Sequence, residues 1–161
     1  WQRVENAVSS TNLIIAGSCE QSYAEELSNL AYRLNLQSVR LDFRFLPEEE
    51  LRTLIAAADV LVYPYRNITQ SGALFAGMNA GKPVIATRVG GFAETVEDCS
   101  TGRLVEPEAP DPLADVLIDL FIDSEKRKRL GYKAKERIRD NFSWSAIAEK
   151  TIGCYNILIP R

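Results

Sequence analysis

The feature that most constrains this chain is the alternation of short, almost wholly apolar runs with longer stretches of helical periodicity. Strands that are apolar along their whole length are buried on both faces, as in a parallel sheet with helices on both sides. The sequence therefore predicts an α/β fold built on a parallel sheet. The predicted strands are 12–17, 39–45, 59–64, 82–87 and 101–106, and the predicted helices are 20–35, 47–58, 71–81, 111–123, 124–140 and 143–159.

Length and composition favour one domain of ordinary globular character. The chain has 161 residues, 46% of them hydrophobic, and a formal net charge of −3. This length suits a single domain over 1–161, and the acidic balance gives no indication of nucleic acid binding. The apolar runs are too short to cross a bilayer, and three scattered cysteines favour a reduced, cytoplasmic setting. Because the chain begins with Trp1, we expect it to be part of a longer protein.

Histidine is absent from the sequence. Ser-His and Cys-His catalysis and His-ligated metal sites therefore cannot arise within these residues. We expect no metal site and no bound cofactor, and any chemistry must rest on other groups.

The clearest indication of a binding site is the absence of Asp and Glu from 60–93. Two predicted strands end in this window, and the helix that begins near Ser71, Gly72 and Ala73 presents unpaired N–H groups and a partial positive charge there. The hydroxyl of Thr69 adds a possible donor, so the segment is suited to an anion. The alternative is a buried strand-helix-strand unit that has no room for acids, with Thr69 or Ser71 as a helix cap.

A second turn at the same end of the predicted sheet contains two glycines. Gly90 and Gly91 follow a strand and allow either a plain tight turn or a close backbone contact with a ligand. Glu94 is expected to open the next short helix. Its carboxylate could accept a bond from a ligand hydroxyl, or it could simply favour the first turn of that helix.

Two earlier strand ends offer further candidates. Gly17 ends the first predicted strand, but no G-x-G-x-x-G pattern follows it, so a dinucleotide fingerprint is not indicated. Arg44 and Phe45 end the next strand and could meet a phosphate and a base, or could be a solvated Arg beside a core Phe. The basic stretch 124–141 fits either a solvated helix or a peripheral contact with a membrane surface, and its charges fall on all sides, which favours the solvated helix.

Five segments, in order, resemble the carboxy-terminal domain of GT-B glycosyltransferases of the glycosyltransferase family 4 (group 1) type. The likeness covers roughly residues 12–159, and "AGKPVIAT" with the following glycines and glutamate is its most specific part. The segments are "NLIIAGS", "LPEEELRTLIAAADVLVYPYR", "SGALFAGMNAGKPVIATRVGGFAETVED", "TGRLVEP" and "NFSWSAIAEKTIGCYNIL".

The resemblance implies a Rossmann-like domain that binds a nucleotide-diphosphate sugar, with the acceptor on a separate amino-terminal domain. It implies retaining, metal-independent sugar transfer in the cleft between the two domains. The implied contacts are the backbone of Ser71, Gly72 and Ala73 for the diphosphate and sugar, Arg44 and Phe45 near the base, Gly17 beside the phosphates, and Gly90 and Gly91 at the pocket edge.

The sequence departs from the family pattern in two places. Two glutamates usually contact the donor sugar and the ribose, but Ile68 and Ala76 occupy those positions here. Gln70 or Glu94 could partly replace them. The family's opening strand and its Gly-Arg…Lys loop have no counterpart before Trp1, where residues 1–10 resemble only the helix tail that follows. The alternative function is therefore a non-catalytic Rossmann-like binding or regulatory module that has lost the donor-gripping glutamates.

Overall fold

The computed structural model describes residues 1–158, which fold into two compact units. The first unit contains Trp1–Ala57 and Ala109–Ser124, and the second contains Ala58–Glu108 and the chain from Glu125 onward. The elements, in chain order, are α1 (Gln2–Ala7), β1 (Leu13–Ala16), α2 (Gln21–Arg33), β2 (Val39–Asp42), α3 (Glu48–Ala57), β3 (Leu61–Tyr63), α4 (Gly72–Asn79), β4 (Val84–Thr87), α5 (Gly90–Thr95), β5 (Arg103–Val105), α6 (Pro110–Ile122), α7 (Ser124–Phe142) and α8 (Trp144–Leu158).

The first unit is built on the parallel pair β1–β2, in which Leu13 lies opposite Val39. Its buried side chains come mainly from α1 and α6, where Val4 and Leu120 are completely inaccessible to solvent. The Trp1 ring meets the Phe121 ring edge to face, with centroids 6.4 Å apart. The core of this unit therefore lies where α1 meets α6.

The second unit is built on a three-stranded parallel sheet in the order β3-β4-β5. Every residue of the central strand β4 is buried, because β3 and β5 flank it on either side. Leu74 and Met78 of α4, Phe92 of α5 and Ala134 of α7 belong to one hydrophobic cluster with this sheet. This unit therefore holds the main described core.

The structure confirms the predicted α/β class and the parallel pairing of its strands, which form two sheets instead of one. Each predicted strand and helix is present, with boundaries that differ by one or more residues. The predicted strand 39–45 ends early, at Asp42. The helix predicted over 143–159 begins at Trp144, and Ile159 lies outside the described residues.

Several large apolar side chains of the last helix, α8, are exposed in the described chain. Trp144 is 88% exposed, and Ile152 and Tyr155 are also exposed. The basic helix α7, in contrast, carries a row of buried side chains that includes Leu130, Ala134 and Ile138.

Candidate functional site

The site that the sequence predicts around Ser71 is the junction between β3 and α4. Ser71 is the cap of α4, and its Oγ accepts a hydrogen bond from Leu74 N at 3.4 Å. Phe75 N donates the first intrahelical bond, to Ser71 O. The N–H groups of Gly72 and Ala73 precede that bond, so they point toward the open end of the helix. Capping by Ser71 is confirmed, and it leaves two donors for an anion.

The Tyr63 side chain contacts the amino end of α4. Its hydroxyl donates to Ala73 O at 2.8 Å, and a Cβ added to Gly77 would overlap that hydroxyl and lie 2.6 Å from Leu61 Cδ1. Burial raises the pKa of the Tyr63 phenol well above its usual value, with a smaller contribution from the neighbouring Tyr65. Tyr63 is therefore a neutral hydrogen-bond donor throughout the physiological pH range.

Gly72 has no packing role in the described chain. A Cβ built there would meet no atom of residues 1–158 outside its own helix within 4 Å, and its φ is not left-handed. Neither sterics nor backbone conformation within the described residues therefore requires glycine at this position. Gly77, one turn further on, is packed so tightly that it cannot take a side chain.

The two glycines of the next turn lie against the segment that leads into Ser71. Gly91 N donates to Thr69 O at 3.1 Å, and a Cβ on Gly91 would lie 2.5 Å from that oxygen and 2.8 Å from Gln70 Nε2. Gly90 has a φ of +42°, and a Cβ there would overlap the carbonyl oxygen of Ile68. Tertiary packing against 68–70 therefore explains both glycines.

Two interpretations of this second turn need correction. Gly90 and Gly91 do not form a free-standing turn, because they are the first residues of α5. Glu94 therefore does not open the helix and is instead its fifth residue. The Glu94 side chain is exposed, and its backbone carbonyl accepts a bond from Arg137 Nη2 at 3.0 Å.

Two arginines of the acid-free window pair with acids from outside it. Arg66 Nε pairs with Glu108 at 3.1 Å. Arg88 Nε pairs with Glu106 at 3.1 Å, and its Nη2 lies 3.5 Å from Asp98. The sequence window lacks acids, but the folded surface around these two arginines does not. The backbone of α4 is therefore a better basis for an anion site than the nearby side chains.

The remaining predicted contacts, Gly17, Arg44 and Phe45, belong to the first unit. Gly17 has a φ of +137°, which only glycine adopts readily, and its N–H donates to Asp42 O. Arg44 is held by Asp42 at 2.9 Å and by Glu50 at 2.6 Å. The bond from Arg44 lowers the pKa of the Glu50 carboxyl. The Arg44 guanidinium is thus already paired with two carboxylates.

Phe45 is 78% exposed, so the alternative of a core Phe is wrong. Ile68, one of the two positions where the resemblance implies glutamate, packs against the hydrophobic cluster of the second unit. Ala76, the other, is exposed on α4 one turn from Gly72. The side chains at both positions lack a hydrogen-bonding group.

Sequence reasoning missed two side chains that hold this region together, Tyr63 and Arg137. Tyr63 reads as an ordinary aromatic residue of an apolar strand, in which Leu61 and Val62 are half-buried. Arg137 lies among many basic residues of α7, and the sequence carries no signal that singles it out. Tyr63 bonds to Ala73 in the next helix, and Arg137 bonds to Thr95, 42 positions earlier.

The described residues contain no group of three or more Cys, Asp or Glu side chains that could hold a metal ion. Cys19, Cys99 and Cys154 are free and exposed in this part of the chain. Among residues 1–158, no helix is both long enough and apolar enough to span a membrane.

Comparison with known proteins assigns this chain to a protein family. Residues 1–137 match the family described as glycosyl transferases group 1, and the chain belongs to that family. It is 37% identical over 135 residues to the D-inositol 3-phosphate glycosyltransferase of Corynebacterium efficiens, an overlap of 82% of this chain and 31% of that protein. The chain therefore spans about a third of the length of this relative.

Solved structures give the same result for the fold. HepE of Anabaena, crystallised in complex with UDP-glucose, matches with a TM-score of 0.81 and 24% identity, over 96% of this chain and 43% of that chain. Sucrose-phosphate synthase from Thermosynechococcus elongatus matches with a TM-score of 0.80 and 28% identity, over 98% and 41%. The predicted family and Rossmann-like fold are confirmed.

Proposed function

We propose that this chain is the donor-binding half of a retaining, metal-independent glycosyltransferase. It would bind a nucleotide-diphosphate sugar, and the acceptor would bind an amino-terminal domain outside these residues. The observation that carries the proposal is the amino end of α4, where the N–H groups of Gly72 and Ala73 precede the first intrahelical bond and Gly72 has no packing role among the described residues. Membership of the group 1 family gives this anion site its expected ligand.

The chemistry of such a site is mainly positioning and charge stabilisation. The sugar-phosphate bond breaks as negative charge develops on the departing diphosphate. Backbone N–H groups at a helix terminus stabilise that charge without any rearrangement, because their dipoles are already oriented. Ser71 Oγ accepts a bond from Leu74 N in the first turn, and the Tyr63 hydroxyl donates to the Ala73 carbonyl. These contacts hold the donors in place for the leaving group.

The donor is tested by titrating the 161-residue chain with UDP-glucose, GDP-mannose and ADP-glucose in a calorimeter. The relatives support a sugar nucleotide of this kind, since HepE was crystallised with UDP-glucose. We expect saturable binding of at least one of the three. Binding of none of them would contradict the proposal for this chain.

The place of binding is tested with Gly72→Trp. Because a Cβ at this position meets no atom of the described chain outside its own helix, the variant should fold, and the indole should block the diphosphate seat. Gly153→Trp is the matched control, since a Cβ at Gly153 on the exposed helix α8 also meets no described atom within 4 Å. We expect Gly72→Trp to abolish binding and Gly153→Trp to retain it. Equal binding by both variants would rule out this seat.

A non-catalytic binding module is the second candidate, and the site itself supports it. Ile68 is part of the packing and Ala76 has no polar group, so neither can grip a sugar or ribose hydroxyl. A charge-assisted bond of that kind contributes about 1.5–3 kcal/mol. Ala76→Glu should therefore tighten nucleotide binding if the enzyme-like donor pose is correct, because position 76 is exposed on α4. In the full-length protein, glycosyl transfer that survives Gly72→Trp would favour a module without a catalytic donor site.

A further inference from the structure

The short helix α5 is anchored at both of its ends. At the amino end, Gly90 and Gly91 lie against the backbone of Ile68 and Thr69, the segment that leads into the cap of α4. A helix of only six residues has little stability of its own, because so few backbone bonds offset the cost of nucleation. Its position therefore depends on tertiary contacts, which are the burial of Phe92 in the hydrophobic cluster and the bonds at its carboxyl end.

That other end is held by one side chain, Arg137. Its Nε donates to Thr95 O at 2.6 Å and its Nη2 to Glu94 O at 3.0 Å, while its Nη1 pairs with the Glu97 carboxylate. Carbonyls at a helix carboxyl end lack intrahelical partners and attract a cation. The Arg137 side chain is only 20% exposed and the Glu97 side chain 53%, so the bond to Thr95 O is the most sheltered of the three. One guanidinium thus caps α5 with planar, fork-like geometry that lysine cannot reproduce.

Arg137 is itself mounted on a rigid support. It precedes Ile138, which is part of the buried row of α7, and Gly131 of that row packs so closely that an added Cβ would overlap Gly81 O. Within α5, Thr95 Oγ donates to Gly91 O at 2.7 Å and ties the capped end to the glycine end. A continuous path of hydrogen bonds therefore runs from Arg137 through α5 to Thr69 O.

We propose that Arg137 is a positioning residue of the donor site, because it holds α5 so that Gly91 fixes the segment 68–70 ahead of the α4 amino end. The part of this inference that concerns donor binding rests on the proposed function. Arg137 makes no contact with a substrate in this scheme. It acts through the glycine pair, and loss of its cap lets α5 and the segment before Ser71 move together.

Amide hydrogen exchange and calorimetry on the 161-residue chain test this role. The variants are Arg137→Gln, which removes the fork, and Arg137→Lys, which keeps the charge. Arg129→Gln on the exposed side of the same helix is the matched control. We expect Arg137→Gln to raise the exchange rate of the Gly91 amide by about tenfold and to leave the β4 amide of Ile85 unchanged. The lysine variant should fall between Arg137→Gln and the wild type, and Arg129→Gln should match the wild type.

The binding measurement uses the sugar nucleotide that the wild type binds among UDP-glucose, GDP-mannose and ADP-glucose. We expect about tenfold weaker binding by Arg137→Gln, the loss expected if the uncapped segment 68–70 is in its binding-competent position about a tenth of the time. If the wild type binds none of them, the proposed function fails. The exchange measurement still tests whether Arg137 holds α5 and the segment 68–70 in place. The inference is overturned if Gly91 exchange is unchanged, if Ile85 exchange rises equally, or if a wild type that binds loses no affinity in Arg137→Gln. Should Arg137→Gln not fold, Arg137→Lys is judged by the same three measurements.

Discussion

The same substitution, glycine to alanine, should have opposite effects at the two glycines that begin α4 and α5. At Gly90 the new Cβ would overlap the Ile68 carbonyl oxygen and lie 3.0 Å from its carbon, while φ is +42°. At Gly72 the Cβ would meet no described atom outside its own helix within 4 Å, and φ is ordinary. The pair separates what the fold requires of a glycine from what a ligand requires.

The expected cost at Gly90 follows from three contributions. A left-handed φ costs alanine about 1–2 kcal/mol, and forcing a carbon into a packed backbone contact costs about 1–3 kcal/mol. Separating the two segments also breaks the bond from Gly91 N to Thr69 O, a further loss of about 1 kcal/mol. Gly90→Ala should therefore lower the free energy of unfolding by about 3–6 kcal/mol. Gly72→Ala should raise it by about 0.4–1 kcal/mol, because alanine restricts the unfolded chain.

Urea denaturation followed by circular dichroism measures both values in one experiment. The midpoint of Gly90→Ala should fall clearly, and that of Gly72→Ala should hold or rise, with similar m-values. The reasoning is refuted if Gly90→Ala unfolds within about 0.5 kcal/mol of the wild type, the range of an ordinary surface substitution. It is refuted equally if Gly72→Ala is the more damaging of the two.

Two further predictions concern Tyr63, which bonds to α4, and Gly131, which packs against Gly81 just after α4. The unfolded Tyr63 phenol ionises near its ordinary pKa while the folded one stays protonated, so its contribution to stability is complete below about pH 10 and declines as pH rises toward the folded value. Tyr63→Phe should lower the unfolding free energy at pH 8 by about 1 kcal/mol, through the lost bond to Ala73 O, and should flatten the alkaline decline; an equally steep decline in both proteins would contradict this. Gly131→Ala should lower the free energy of unfolding by about 1–3 kcal/mol, because its Cβ would overlap Gly81 O. Gly153→Ala, in an exposed helix, should raise it by up to about 1 kcal/mol. A higher thermal midpoint for Gly131→Ala than for Gly153→Ala would show that the packing at Gly131 is misjudged.

The candidate site divides into a part that local sequence predicts and a part that it cannot. Ser71 as the cap of α4 is readable because serine before a small-residue helix satisfies that helix's own N–H groups. The glycine pair at 90–91 is also visible, but its reason is not. Those residues are glycines because of a carbonyl more than twenty positions earlier, and a sequence window does not contain that neighbour.

The charge around the acid-free window also depends on residues outside it. The run 60–93 contains no acids, yet in the folded chain its Arg66 and Arg88 are paired with Glu106, Glu108 and Asp98 from beyond its end. A count along the chain records which charges are near in sequence, whereas the field at a site depends on which are near in space.

By itself, the sequence determined the alternation of strands and helices, the parallel pairing of the strands and the serine-capped start of α4. These depend on periodicity and on capping, which act over a few residues. Only the tertiary structure decided that Phe45 is exposed, that Arg44 is already paired, that Glu94 lies late in α5 and that Arg137 caps it. The physical reason is the same in each case, because burial and partner choice depend on elements that meet only when the chain is folded.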